Sequence, residues 1–189
     1  MIDYKKVKRV SVFGCTGSGK SYIAGELSDI FGLPIIYFDH YTWNPDRTKV
    51  DKGLFVKNIM GIMEDRWITD GNHSRDDELT KRRFVESDLI VFLDFQVEDC
   101  IEAIKQRQGV KRKDIPDYLL EDYKDTQWLI NHAKNWKADG KPDIIKSQIQ
   151  KYKTEDKVVV LKDRIEVRNF LSGIKNSLDK EACKFEKQN

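Results

Sequence analysis

The sequence predicts an α/β fold, a doubly wound parallel sheet with helices on both faces. Three observations predict it. Short apolar runs alternate with helix-period segments along most of the 189 residues. A glycine-rich loop, Gly14-Cys15-Thr16-Gly17-Ser18-Gly19-Lys20-Ser21, joins the first run to the first helix. Gly14, Asp39, Asp70 and Asp94 each follow an apolar run, which places all four on one edge of the sheet.

The first strand is Val10-Ser11-Val12-Phe13. The loop after it fits G-x-x-x-x-G-K-[ST] at every fixed position, a match expected by chance in on the order of one in a hundred chains of this length. Its glycines let the backbone curl around an anion without Cβ clashes. The curl aims N–H groups at a phosphate, helped by the positive end of the following helix. Lys20 then reaches the β- and γ-phosphate oxygens, and the Ser21 hydroxyl reaches Mg²⁺. Residues 14–21 are thus the candidate nucleotide-binding loop, and ATP and Mg²⁺ are the cofactors it implies.

Tyr22 to Phe31 reads as the first helix, broken by Gly32-Leu33-Pro34. Ile35-Ile36-Tyr37-Phe38 is the second strand and ends at Asp39. Tyr41 to Asp51 reads as a loop holding Trp43, Asn44 and Pro45. Phe55, Ile59, Ile62 and Met63 recur at helical spacing. Trp67-Ile68-Thr69 is the third strand, ending at Asp70-Gly71, and Leu79 to Val85 a helix. Leu89 to Leu93 is unbroken apolar, as suits a strand covered on both faces. Cys100, Ile101 and Ile104 mark the next helix.

From Lys105 to Glu155 no strand is signalled. Gln106 to Lys113 is basic, and Pro116 stands where a helix could start. Leu119, Tyr123, Ile130 and Ala133 make a loose helical stripe with Trp128 and Trp136 nearby. Gly140-Lys141-Pro142 breaks it, and Ile144 to Tyr152 is helical. These segments predict a mobile basic lid at about 106–114 and a helical insertion at about 115–155. Val158 to Leu161 is the last strand; Val167, Phe170, Leu171 and Ile174 mark the last helix. One domain over 1–178 and a polar tail over 179–189 follow.

Composition excludes several classes. Thirty-four Lys and Arg nearly balance 32 Asp and Glu, and a net charge of +2 gives no general pull toward nucleic acid or anionic lipid. No apolar run approaches the roughly 18 residues that span a bilayer. Met1 to Lys6 lacks the apolar stretch of a secretion signal, so a cytoplasmic location is expected. Cys15, Cys100 and Cys183 are odd in number and far apart, without disulfide or metal-ligand spacing.

The loop at 14–21, the turn at 70–75, the strand Leu89–Asp94 and the basic stretch at 107–113 come in the order seen in adenylate kinase and other small P-loop kinases, which the chain resembles. Asp70-Gly71 followed by Arg75 resembles the Asp-Gly-x-x-Arg turn of nucleoside-monophosphate kinases. In detail the chain resembles the proteins called DNA topology modulation protein or FlaR-related. That likeness rests on Phe38-Asp39-His40 with Trp43, on Trp67 to Asn72 with Ser74, and on the Trp-containing helix after the lid. It spans residues 8 to about 176. His73 and Arg47 depart from it, standing where Tyr and Trp are expected. The lid carries only Arg107 and Arg112, and the long lid of adenylate kinases is absent.

The resemblance implies a three-layer fold with a five-stranded parallel sheet in the order 2-3-1-4-5. It implies transfer of the γ-phosphoryl group of ATP to a nucleotide or other small acceptor, by a monomer or homodimer. Lys20 would clamp the donor phosphates, and Arg107 and Arg112 would swing in on lid closure. Asp70 would hold the Mg²⁺ water shell, with Asp94 its competitor at the next strand end. Asp39 would orient or deprotonate an acceptor hydroxyl, or else cap a loop. Trp43, Gly71, Asn72 and Arg75 are acceptor-site candidates, with His40 and His73 behind them. Arg75 favours a nucleoside monophosphate; Asp39 favours a hydroxyl compound such as a nucleoside or sugar. Two other classes remain: a nucleotide-dependent regulator of DNA topology, with no helix-turn-helix or zinc module to support it, and a nucleotide hydrolase.

Overall fold

The computed structural model describes residues 2–74, 77–112, 114–119 and 123–186. Five strands form one all-parallel sheet: β1 (Arg9–Gly14), β2 (Ile35–Tyr37), β3 (Trp67–Asp70), β4 (Leu89–Leu93) and β5 (Val158–Leu161). Their order is β2-β3-β1-β4-β5, the order the resemblance implied. The three inner strands are buried almost throughout, whereas the edge strands β2 and β5 stay partly open. The chain crosses from β1 to the edge at β2, returns to β3 beside β1, and then passes to the other side through β4 and β5. The end of β1 is therefore the switch point, where the crevice of such sheets opens.

Eight α-helices flank the sheet among the described residues: α1 (Lys20–Phe31), α2 (Asp39–Thr42), α3 (Lys52–Ile62), α4 (Glu78–Val85), α5 (Val97–Gln106), α6 (Tyr123–Ala138), α7 (Lys141–Tyr152) and α8 (Arg164–Glu186). The main core joins β1 and β4 to α1, α5, α6, α7 and α8. A smaller one lies under α3, built from Ile36, Phe38, Phe55, Ile59, Met63 and Trp67. Among the described residues no helix is long and apolar enough to cross a membrane.

Three stretches differ from expectation. Residues 39–42 form one helical turn rather than the start of a loop, and Trp43 then bridges Lys49 in an antiparallel hairpin. The hairpin closes through the Asn44 N–H on the Thr48 carbonyl and the Asp46 carboxylate on Thr48. Its tip holds Arg47 at φ 63, a left-handed conformation that costs a residue with a Cβ about 1–2 kcal/mol. Helix α7 starts at Lys141, because Pro142 falls in its first turn, where no N–H is needed. Helix α8 continues to Glu186, so the polar tail begins as helix. Glu181, Ala182 and Lys184 are good helix formers and need no apolar stripe.

Arg83 on α4 is fully buried beneath the sheet edge that carries the site. Its guanidinium donates to Thr69 Oγ1 (2.9 Å), the His73 carbonyl (2.9 Å) and the Val12 carbonyl (3.2 Å). It lies 3.9 Å from the Phe13 ring centroid and 4.7 Å from that of Phe38. Burial lowers its pKa to about 9, against the opposing pull of Asp70 and Asp77. Arg83→Ala leaves a cavity, and the buried Val12 carbonyl, the buried Thr69 hydroxyl and the half-buried His73 carbonyl each lose a donor. A loss of about 3–5 kcal/mol is expected, read as a lower denaturation midpoint at unchanged m-value.

Candidate functional site

The loop after β1 is held from two sides. The Gly14 N–H donates to Asn72 Oδ1 (3.0 Å), and Asn72 Nδ2 donates back to the Gly14 carbonyl. This reciprocal pair continues the β1–β3 ladder past its last register pair, Val12 with Asp70. Asn72, a candidate for substrate contact, has its amide engaged with the loop. On the other side the loop lies flush on α5. Gly17 has φ +83, and a Cβ there would fall 2.2 Å from the Cys100 carbonyl oxygen. The Cys15 and Cys100 side chains are buried against one another beneath the loop. The Ser18 N–H bonds the Cys15 carbonyl at 3.1 Å, completing the curl. Gly19, in the left-handed region, passes the chain into α1.

Lys20 is the first residue of α1, and its ammonium folds back on the Cys15 carbonyl at 3.0 Å. Ser21 Oγ donates to Asp114 Oδ2 at 2.6 Å and also stands near enough to Asp70 to draw its pKa down. Asp114 pairs in turn with Arg112, whose Nε donates to Oδ1 at 2.9 Å. Burial pushes the Asp114 carboxyl up, but Arg112 and the Ser21 hydroxyl outweigh it and hold the pKa below the usual range. Sequence reasoning missed Asp114, which stands 93 residues from Ser21. Its one signal was an acid placed directly after the basic run.

Asp70 is 7% exposed. Burial raises its pKa, with Lys20 and Ser21 opposing. Asp39 differs: its surface is open to solvent, yet protein surrounds it deeply enough for burial to raise its pKa as well. Both facts hold for a carboxylate on the floor of a cleft. Lys20, Arg112 and Arg107 pull that pKa down and Asp114 pushes it up, so all four charges lie around the same floor. Asp94 does not join them. It turns toward α7, with its carboxylate 3.4 Å from Lys146 Nζ. Of the two candidates for Mg²⁺, Asp70 alone stands beside Ser21.

The remaining candidates are spread around this centre. Gly71 (φ +150) serves packing, since a Cβ would lie 2.6 Å from the Phe38 ring. Trp43 lies edge-on to Trp128. His40 stacks on Tyr37, and His73 bonds Asp77 at 2.6 Å. Arg75 lies outside the described residues.

The donor chemistry suits Mg²⁺, which takes hard oxygen ligands from one or two carboxylates and completes its shell with phosphates and water. Ser21, Asp70 and Asp114 offer such oxygens. Among the described residues no three His, Cys, Asp or Glu side chains stand close enough together to hold a metal ion. The loop suits the phosphates, with backbone N–H groups, a helix N-terminus and one lysine converging on it.

No protein-family model matches the chain, and no curated protein matches it. The narrower likeness to the FlaR-related proteins, and with it a role in DNA topology, therefore gains no support beyond the motifs that suggested it. Solved structures do match. A shikimate kinase from Acinetobacter baumannii in complex with shikimate superposes at TM-score 0.52, with 13% identity over 94% of this chain and 96% of that one. A gluconokinase from Sinorhizobium meliloti 1021 superposes at TM-score 0.50, with 14% identity over 94% and 97%. A deoxyadenosine kinase from M. mycoides with bound dATP fits more loosely, at TM-score 0.46 and 17% identity over 90% and 99%. At these identities the first two matches establish the architecture: the chain has the α/β fold of small P-loop kinases.

Proposed function

We propose that this chain is an ATP- and Mg²⁺-dependent phosphotransferase that moves the γ-phosphoryl group of ATP to a hydroxyl of a small molecule. The observation that carries the reading is the convergence of the curled loop, Lys20, Ser21 and the cleft-floor carboxylate of Asp39. Phosphoryl transfer asks for positioning and charge neutralisation more than for covalent chemistry.

Lys20 releases the Cys15 carbonyl and neutralises charge on the β- and γ-phosphates. Ser21 and Asp70 are the residues that would hold Mg²⁺. Bound there, Mg²⁺ would supply charge neutralisation for the phosphates. Asp39 accepts the proton of the acceptor hydroxyl as that oxygen bonds the γ-phosphorus and the bond to the β-phosphate oxygen breaks. Its raised pKa favours this role, since a base poised nearer neutral pH captures a proton more readily than an ordinary carboxylate. Arg107 and Arg112 stabilise the charge on the moving group. A phosphate acceptor is already ionised and leaves Asp39 without a task, so the hydroxyl acceptor is preferred.

The test incubates purified protein with γ-labelled ATP and Mg²⁺ against nucleosides, nucleoside monophosphates, sugars and polyols. Label should pass to a hydroxyl compound. Label on monophosphates alone overturns the acceptor class, and free phosphate alone makes the chain a hydrolase.

A further inference from the structure

Beside the Asp39 turn stands a cluster of aromatic rings that the chemistry above does not use. Trp43 follows directly on the single turn α2 that begins at Asp39. Trp128 and His132 stand one turn apart on α6, and their rings lie parallel, 3° between planes and 5.4 Å between centroids. The Trp128 ring meets Trp43 edge-on, at 81° and 6.3 Å. Tyr118 fastens the corner by donating its hydroxyl to the Trp43 carbonyl (2.9 Å), while Arg47 donates to the Tyr118 carbonyl (3.1 Å). His132 lies within electrostatic reach of both Lys20 and Lys49, and Lys49 Nζ stands 5.4 Å from the Trp43 ring centroid.

Among the four tryptophans Trp128 is the exposed one. Trp67 and Trp136 are buried in the core, at 0% and 2% exposure, and Trp43 is half-buried, whereas Trp128 is 51% exposed. Two indoles near a right angle make a floor and a side wall. A flat ring can stack on one and present its edge to the other, an arrangement that aromatic quadrupoles favour. A flexible polyol has no face to offer such a corner.

We propose, resting on the phosphotransferase reading, that Trp43 and Trp128 bind the ring of the acceptor. The acceptor is a hydroxyl compound that carries a planar heteroaromatic ring, and a nucleoside is its representative. Trp43 joins this corner to the Asp39 turn, so a seated ring brings its hydroxyl toward the Asp39 carboxylate. Trp43 and Trp128 are specificity-determining residues, with no part in holding ATP.

The test has two arms. In the first, intrinsic fluorescence of the wild-type protein is titrated with adenosine, cytidine and gluconate in the presence of a non-hydrolysable ATP analogue. The nucleosides should produce a saturable change, and gluconate none. In the second, Trp43→Leu and Trp128→Leu are assayed for label transfer to the nucleoside that the wild type prefers. Each should raise KM about tenfold while kcat falls less than about threefold, and Trp128→Phe should recover much of the loss. ATP affinity, measured by calorimetry, should stay within about twofold of wild type. Gluconate or an open-chain polyol outperforming every nucleoside overturns the proposal. So do unchanged KM values in both Leu variants. Wild-type protein that binds no ATP overturns the phosphotransferase reading itself, an outcome separable from failure of the aromatic corner with ATP binding intact.

Discussion

Lys20→Met should lower kcat/KM for label transfer by at least about 10³-fold while leaving the fold in place. Methionine keeps most of the aliphatic stem at the head of α1 and is an equally good helix former. What disappears is the ammonium, and it acts on three groups. It is the clamp for the donor phosphates. It is also the largest opposing influence on the burial that raises the pKa of Asp39, and likewise for Asp70. Without it both carboxylates move further toward the neutral form. The loss therefore has two separable parts: weaker ATP binding, seen by calorimetry, and a slower turnover that recovers partly as pH rises and Asp39 ionises. A residue that served only the loop, through its bond to Cys15, would show the first part without the second. Thermal midpoints should differ by no more than about 2–4 °C, since a half-exposed side chain is lost and no core contact with it. Transfer within tenfold of wild type would remove Lys20 from the mechanism.

The sheet was legible because its strands are short, apolar and punctuated. Leu89 to Leu93 has no polar residue, as a strand with helices on both faces requires. The loop was legible because phosphate binding fixes both residue types and spacing. Less of the site's surroundings could be read, for reasons that particular residues show. Asp114 sits in a basic stretch, and net charge hides one acid among several bases; its partner Ser21 lies far away in sequence. Arg83 sits on a short helix with Lys81 and Arg82, where a cation reads as solvated surface, and only the fold places it under the Phe13 and Phe38 rings. Asn72 reads as a substrate ligand because it follows Asp70-Gly71, yet its amide completes a strand pairing with Gly14. The turn at 39–42 is too short for any periodicity to reveal. For Asp114, Arg83 and Asn72 the missing information is a long-range contact.

Asp39→Asn should move activity and stability in opposite directions. As a general base Asp39 contributes about 10²–10⁴-fold to the rate, and asparagine cannot take the proton. The kcat of the wild type should fall on the acid side through the raised pKa of Asp39, at a higher pH than an ordinary carboxylate would give. The stability effect has the opposite sign. A carboxyl whose folded pKa lies above its unfolded value favours the folded state when protonated. That contribution is complete below the unfolded pKa and is lost as pH rises through the folded one. Asparagine imitates the protonated form at every pH. The ligand-free variant should therefore melt higher than wild type at pH 7–8, by on the order of 1–2 °C given that water reaches the cleft and screens the charge. The gain should vanish near pH 4. The alternative role for Asp39, a cap at the first turn of α2, makes the contrary forecast: the variant melts lower at neutral pH and keeps its activity. Differential scanning at pH 4 and pH 8, run beside the label-transfer assay, separates a base held ready at an energetic cost from a residue that only starts a helix.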